Sequence, residues 1–305
     1  MTITRRQVLN GLGTATLATG LSGLATRVIA AGEGREVITA SDGHLVLPGD
    51  FVFDGMDEAQ LAPILDRHDI SREEIRQPCN VTLLRDGEKV ILFDAGAGPL
   101  FMPSAGDLVV TLDGLGLAPE DVTDIVFTHG HPDHLWGVLD DFDELLFPEA
   151  AFHFGQAEWD YWSDPDTVDT IGEARAAFAV GAQRRLDAIA GKTSFFTDGD
   201  EVLPGIMAHA TPGHTPGHMS FEIATGGDPV LVAGDAVTNA HVNFEQPGWP
   251  SGSDQDPDLG AETRARLLDR AAADGLRLIG FHLPGGGIGR VERTGDAFRF
   301  VEDGA

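Results

Sequence analysis

Asp124-Ile125-Val126-Phe127-Thr128-His129-Gly130-His131-Pro132-Asp133-His134 begins as a short apolar run of strand character and ends in four metal-binding side chains. The run delivers the histidines to the end of a structural element, where loops carry chemistry. Gly130 and Pro132 would shape a tight loop in which alternate side chains converge on one point. Three imidazoles and a carboxylate within six positions suit zinc or a similar divalent ion. Core packing gives no reason for such a spacing.

Upstream, Asn80–Arg85 and Lys89–Phe93 flank Asp86-Gly87, a turn dipeptide, and read as a hairpin ending in Asp94-Ala95-Gly96-Ala97-Gly98. A helix from Ser104 to Leu115 and the helix-start pattern Ala118-Pro119-Glu120-Asp121 complete a strand, helix, strand rhythm. Glu36–Ala40 and His44–Leu47 look like short strands, whereas residues 48–76, acidic and proline-containing, give no clear reading. Downstream, Ile171, Phe178, Ala182, Leu186 and Ile189 lie at helical spacing, a stripe explained by core packing. Strands are expected at Ile206–Thr211, Met219–Ile223, Val230–Ala233 and Leu276–Phe281, with a helix at Gly260–Ala273. Mixed strands sandwiched by helices follow, in one domain with one large core and no repeat of solenoid or propeller type.

The pattern His129-x-His131-x-Asp133-His134 resembles the signature of the metallo-β-lactamase superfamily, and the remaining motifs follow in order from Asn80 to Val291. The resemblance implies an α+β fold, an αββα four-layer sandwich of two mixed β-sheets flanked by helices. It implies that Asp94 orients a ligand loop without binding metal; a plain turn aspartate is the rival reading. In Thr211-Pro212-Gly213-His214-Thr215-Pro216-Gly217-His218 the first histidine would be the ligand and the second a buried support. Asp235 closes the apolar run Val230–Ala233, where an unpaired carboxylate is costly and a position between two cations removes the cost. His282, which alone would read as structural, stands where the family has its last ligand. Carried over, His129, His131 and His214 hold one divalent ion, Asp133, His134 and His282 the other, and Asp235 bridges them. Two ions, expected to be Zn2+, would ionise a bridging water to the attacking hydroxide. Asp133 would also pass a proton to the leaving group, so no activated serine or cysteine is required.

The formal charge of −29 disfavours polyphosphate partners. Lys89 and Lys192 are the only lysines, and Arg184-Arg185 the only paired arginines beyond the N-terminal stretch, so no nucleic-acid footprint is visible. Thr4-Arg5-Arg6-Gln7-Val8-Leu9, the apolar run to Ala25 and the small-residue pattern Val28-Ile29-Ala30-Ala31 read as a twin-arginine export signal over residues 1–30. Gly11, Gly13, Gly20 and Gly23 break that run, which is shorter than the roughly 20 apolar residues of a span, so stable membrane insertion is not expected. Residues 31–305 would form the single catalytic domain, periplasmic or secreted. Cys79 has no partner for a disulfide and no ligand spacing, and reads as a small buried residue. His44, His68, His153 and His209 have no ligand-like spacing either. His241, six residues beyond Asp235, lies within reach of the site but outside the expected set.

The superfamily spans many hydrolases, so its motif fixes chemistry better than substrate. Asp235, where the best-known zinc β-lactamases have cysteine or lack the bridge, argues against a dedicated β-lactamase. Only 23 residues follow His282, too few for the basic helical region of glutathione thioesterases. No second domain or basic surface points to RNA processing, and neither the flavin domain nor the acid-for-histidine exchange of the iron flavoproteins is present. What remains resembles the exported branch of methyl parathion hydrolase and related lactonases, through Asn243-Phe244 to Trp249, Asp254-x-Asp256-x-Asp258 and Thr263-Arg264-x-Arg266-Leu267-Leu268. Acyl-homoserine lactonases often carry tyrosine three residues after the bridging aspartate, where this chain has Thr238. A small uncharged lactone, carboxylic ester or phosphotriester is the expected substrate, and a homodimer is compatible with the pattern. Trp159, Tyr161, Trp162, Phe244 and Trp249 fit a substrate pocket and an ordinary core equally. The alternative is a non-catalytic metal- or partner-binding protein that kept the fold.

Overall fold

A computed structural model describes residues 26–30 and 34–303. The first sheet orders β1 (Thr26–Ala30), β2 (Arg35–Pro48), β3 (Glu74–Asp86), β4 (Lys89–Phe93), β5 (Asp124–Val126), β6 (Ala151–Gly155) and β7 (Thr193–Phe196). It is antiparallel as far as β4 and parallel from β4 to β7. The second sheet runs from β8 (Glu201–Leu203) through β9 (Ile206–Ala210), β10 (Met219–Ile223), β11 (Val230–Val232), β12 (Arg277–Ile279) and β13 (Ile288–Thr294) to β14 (Ala297–Glu302), with β11 and β12 parallel. Helices α1 (Gly49–Val52), α2 (Glu58–Arg67), α3 (Leu108–Gly114), α4 (Pro132–Leu135), α5 (Gln156–Ser163), α6 (Thr167–Thr170), α7 (Ala176–Ile189), α8 (Val242–Glu245) and α9 (Pro257–Asp274) cover the outer faces.

Central strands read as unbroken apolar runs because both of their faces are buried. Leu83, Leu92 and Ile125 turn outward into a cluster with Leu108 and Leu112 of α3 and Ala182 and Leu186 of α7. Their neighbours Leu84, Ile91, Phe93 and Val126 turn inward against Phe221, Val230, Val232 and Ile279 of the second sheet. On its other face that sheet buries Leu231 and Leu278 under Leu267, Leu268 and Ala271 of α9. The result is the four-layer αββα sandwich of two mixed sheets.

Several expected elements change shape. The two short strands before Pro48 are one long β2 with a register shift between Ser41 and His44. The shift turns Asp42 inward, where it accepts Ala97 N–H and Leu108 N–H at 2.7 Å each and fastens the loop after β4. Residues 48–76 contain α1 and α2, the second capped by Asp57 accepting from Ala59 N–H. The helix expected from Ser104 is only Leu108–Gly114. Arg5, Arg6 and the apolar run to Ala25 lie outside the described residues, while Thr26–Ala30 pair with β2. Among the described residues no helix is long and apolar enough to cross a membrane.

A polar ladder crosses four strands of the first sheet. Asp124 accepts from Lys89 Nζ (2.7 Å), Thr123 Oγ1 (2.7 Å) and His153 Nε2 (2.9 Å), and His153 Nδ1 meets Ser194 Oγ at 2.8 Å. Burial pushes the Asp124 carboxyl up, but the bonds from His153, Lys89 and Thr123 outweigh it and hold the group well below the usual carboxylate range. A depressed folded pKa contributes stability above the unfolded value near about 3.9, and loses it as pH falls toward the folded value. Asp124→Asn should therefore cost about 1–3 kcal/mol at neutral pH and flatten the loss of stability below about pH 4. Denaturant melts of both proteins across that range check this; an unchanged acid slope would place the lability in other carboxylates.

Candidate metal centre

The β5 strand runs into the loop that carries His129, His131, Asp133 and His134, the last two in the first turn of α4. Gly130 is required in that loop, since a Cβ there would meet the Trp162 indole at 2.5 Å. His214 comes from the turn between β9 and β10, Asp235 from the turn after β11, and His282 from the turn after β12. Both sheets thus deliver side chains to one end of the sandwich. His129, His131 and His214 bring one donor atom each within 4.8 Å of one another, and so do Asp133, His134, Asp235 and His282.

The outer nitrogen of most rings is spoken for, which fixes the nitrogen that faces inward. Thr128 donates its N–H and hydroxyl to Asp94, and its Oγ1 lies 3.0 Å from His129 Nδ1. Asp94 also takes His134 Nδ1 at 2.8 Å, so Nε2 faces Asp133 and Asp235. His282 Nδ1 is held by the Pro78 carbonyl at 2.9 Å, leaving Nε2 at 3.2 Å from both Asp133 and Asp235. His214 Nδ1 faces Asp254 at 3.2 Å, and Asp254 is paired at 2.6 Å with the buried Arg264. The inner nitrogens of His129, His131 and His214 approach to 2.9 and 2.8 Å. The Asp235 carboxylate reaches both groups, with Oδ2 3.3 Å from His214 Nε2 and Oδ1 3.3 Å from His134 Nε2.

The electrostatics match the geometry. Burial, then the neighbouring His134 and His214 charges, hold His129 and His131 far below ordinary imidazole basicity, so both rings are neutral. Burial also opposes charge on Asp133 and Asp235, yet His134 and His282 keep both carboxyls well below the usual range. His134 and His282 are raised in return by those carboxylates, against their own burial. Asp133 Oδ2, His134 Nε2 and Asp235 Oδ1 are buried with no hydrogen-bond partner, a rare and costly condition that a cation relieves. The seven residues fit divalent metal ions by donor type and by these unpaired atoms.

His218 stays outside both groups. Burial and the His214 charge push its pKa down to about 3, and its neutral ring accepts Asp235 N–H at Nε2 (2.9 Å) with Thr211 Oγ1 at Nδ1 (2.8 Å). Gly234 makes room for it, since a Cβ there would lie 2.6 Å from His218 Nε2. Of the five aromatics expected to line either pocket or core, Trp162 and Phe244 are fully buried. None of the five lines the cavity beside His282.

Sequence reasoning missed Glu158. Its buried carboxylate accepts Gly130 N–H (2.9 Å) and Trp162 Nε1–H (2.6 Å) on one oxygen, and Thr215 Oγ1–H (2.8 Å) and Gly217 N–H (2.9 Å) on the other. Burial raises its pKa against the pull of these four donors. One side chain thereby ties together the two histidine loops. A glutamate in Gln156-Ala157-Glu158-Trp159 looks like any exposed helical acid, and only Trp162, one turn on, hints at burial.

The family profile described as "Metallo-beta-lactamase superfamily" matches residues 74–282. The uncharacterized protein YobT of Bacillus subtilis is 29% identical over 160 residues, which are 52% of this chain and 62% of that one. Among solved structures, AidC, described as a dizinc quorum-quenching lactonase, is 26% identical with a TM-score of 0.86, covering 92% of this chain and 98% of that chain. AbOPH, described as a hydrolase in the beta lactamase superfamily, is 27% identical with a TM-score of 0.84, covering 93% and 98%.

Glu158→Gln would set an amide NH2 against two donors in a dry site. The expected cost is about 2–4 kcal/mol, read from denaturant midpoints, together with weaker metal retention in a competition with chelator. A variant as stable as wild type would mean that the loops hold themselves.

Proposed function

The chain belongs to the metallo-beta-lactamase superfamily, and on that footing we propose that it is a dinuclear metal-dependent hydrolase of an ester-type bond in a lactone, carboxylic ester or phosphotriester. His129, His131 and His214 would hold one divalent ion and Asp133, His134 and His282 the other, with Asp235 shared between the two groups. The observation that carries this reading is Asp235, whose carboxylate lies within 3.3 Å of His214 from one group and of both His134 and His282 from the other. When bound, two divalent ions would supply Lewis acidity for the scissile carbonyl or phosphoryl oxygen and for a nucleophilic water near neutral pH. The protein's part is to keep donors neutral or ionised as needed, through the hydrogen bonds of Asp94, Asp254, His218 and the Pro78 carbonyl. Asp133, whose Oδ2 carries no hydrogen bond and whose carboxyl is held in the ionised form by His134 and His282, takes the proton that the attacking water gives up and hands it to the leaving oxygen. Nitrogen-rich donor sets with carboxylates favour zinc.

One relative of the fold supports the choice of bond, and a second supports hydrolysis in general. AidC is described as a dizinc lactonase and AbOPH as a hydrolase. The Arg5-Arg6 stretch adds the proposal that the protein works outside the cytoplasm after twin-arginine export.

Protein stripped with chelator and reloaded should regain turnover at two equivalents of metal. A panel of γ-lactones, aryl esters, phosphotriesters and a β-lactam then chooses the substrate class. Asp133→Asn should fold and lose about 100-fold or more in kcat. Full activity in that variant refutes the proton role, and absence of turnover with two metals bound favours a binding protein.

A further inference from the structure

A cavity of about 230 Å3 opens beside the centre, with His282 on one wall and His241 on another. That is room for roughly eight waters, so a molecule that fills it from His282 also meets His241. Ile70, Ile75 and Pro284 supply apolar wall, while Arg76 pairs at 3.0 Å with Glu74. Charge in the lining is thereby matched, which suits an uncharged occupant.

His241 is half-buried, and neither of its ring nitrogens has a hydrogen-bond partner among the described residues. The ring is nevertheless held in one plane. It stacks on His68 at 3.8 Å and 13°, and His68 Nε2 is fixed by Glu245 at 2.6 Å, which Arg67 also holds at 2.5 Å. Burial and the His68 charge lower its basicity, against Glu245, so the ring offers one donor and one acceptor. A rigid, unpaired, half-buried polar group beside a reaction centre is the usual form of a specificity contact.

We propose that His241 sets substrate preference by hydrogen-bonding an uncharged polar group, a carbonyl or amide, carried beside the scissile ester. This rests on the hydrolytic reading of the neighbouring centre. It adds a residue that the ligand motif does not include, and it gives the His68–His241–Glu245 assembly a purpose.

The test compares two γ-lactones of equal length, one with a short acylamino arm and one with an all-carbon arm, on metal-loaded wild type, His241→Phe and His241→Gln. Phenylalanine keeps the stack on His68 and removes both nitrogens. The expected result is a tenfold fall, about the worth of one hydrogen bond, in the preference for the acylamino lactone. It should appear in KM more than kcat, with partial rescue by glutamine. Calorimetric binding of the same two lactones to the same proteins gives a second readout. If wild type hydrolyses neither lactone, the lactone branch of the hydrolase reading fails, while a binding preference that falls in His241→Phe still upholds the contact. An unchanged preference in both readouts, or an equal weakening toward both lactones, overturns it.

Discussion

Two carboxylates held in the ionised form, Asp133 and Asp235, sit almost wholly buried, and the surrounding structure is arranged around meeting their charge. Burial of a carboxylate is tolerated only with a cation or a full set of hydrogen bonds. Here the answer is a shell of imidazoles, of which His134 and His282 are drawn toward the charged form and His129 and His131 are kept neutral. That asymmetry follows from distance to the carboxylates, since all four rings are buried.

Behind the rings stands a layer of acceptors, each contributed by a different part of the chain. Asp94 reaches the β5 loop from the end of β4, with a left-handed backbone (φ 71°) that an aspartate tolerates. Asp254, neutralised by Arg264 on α9, reaches His214. The Pro78 carbonyl in β3 reaches His282. Because these anchors lie within β3, just after β4 and in the loop before α9, the positions of the inner nitrogens depend on the whole sandwich. A short peptide with the same histidines would have no such geometry.

The histidine loop and the central strands were legible because their signals are local. A strand buried on both faces reads as a continuous apolar run, as in Val90–Phe93 and Val230–Ala233, and four ligands in six positions leave few other readings. The order of the later motifs pointed to His214, Asp235 and His282, which the structure brings to the same place as the first loop. Elements set by tertiary context were not legible. Ala151–Gly155 and Thr193–Phe196 are short strands that owe their state to their parallel neighbours, β5 beside the first and β6 beside the second. Pro63 and exposed charged residues obscure α2. Glu158 and Asp42 act through burial, which a single sequence does not display for an acidic residue, and β13 and β14 follow the last motif where no ligand drew attention.

Glu158 has one further consequence. By gripping Gly130 and Gly217 through a single carboxylate, it makes the two histidine loops one mechanical unit, while the cavity walls around residues 70–78 and 238–241 are built from other segments. Such a division separates what selection must preserve from what it can vary. A change in the walls can therefore leave the clustered donor atoms where they are.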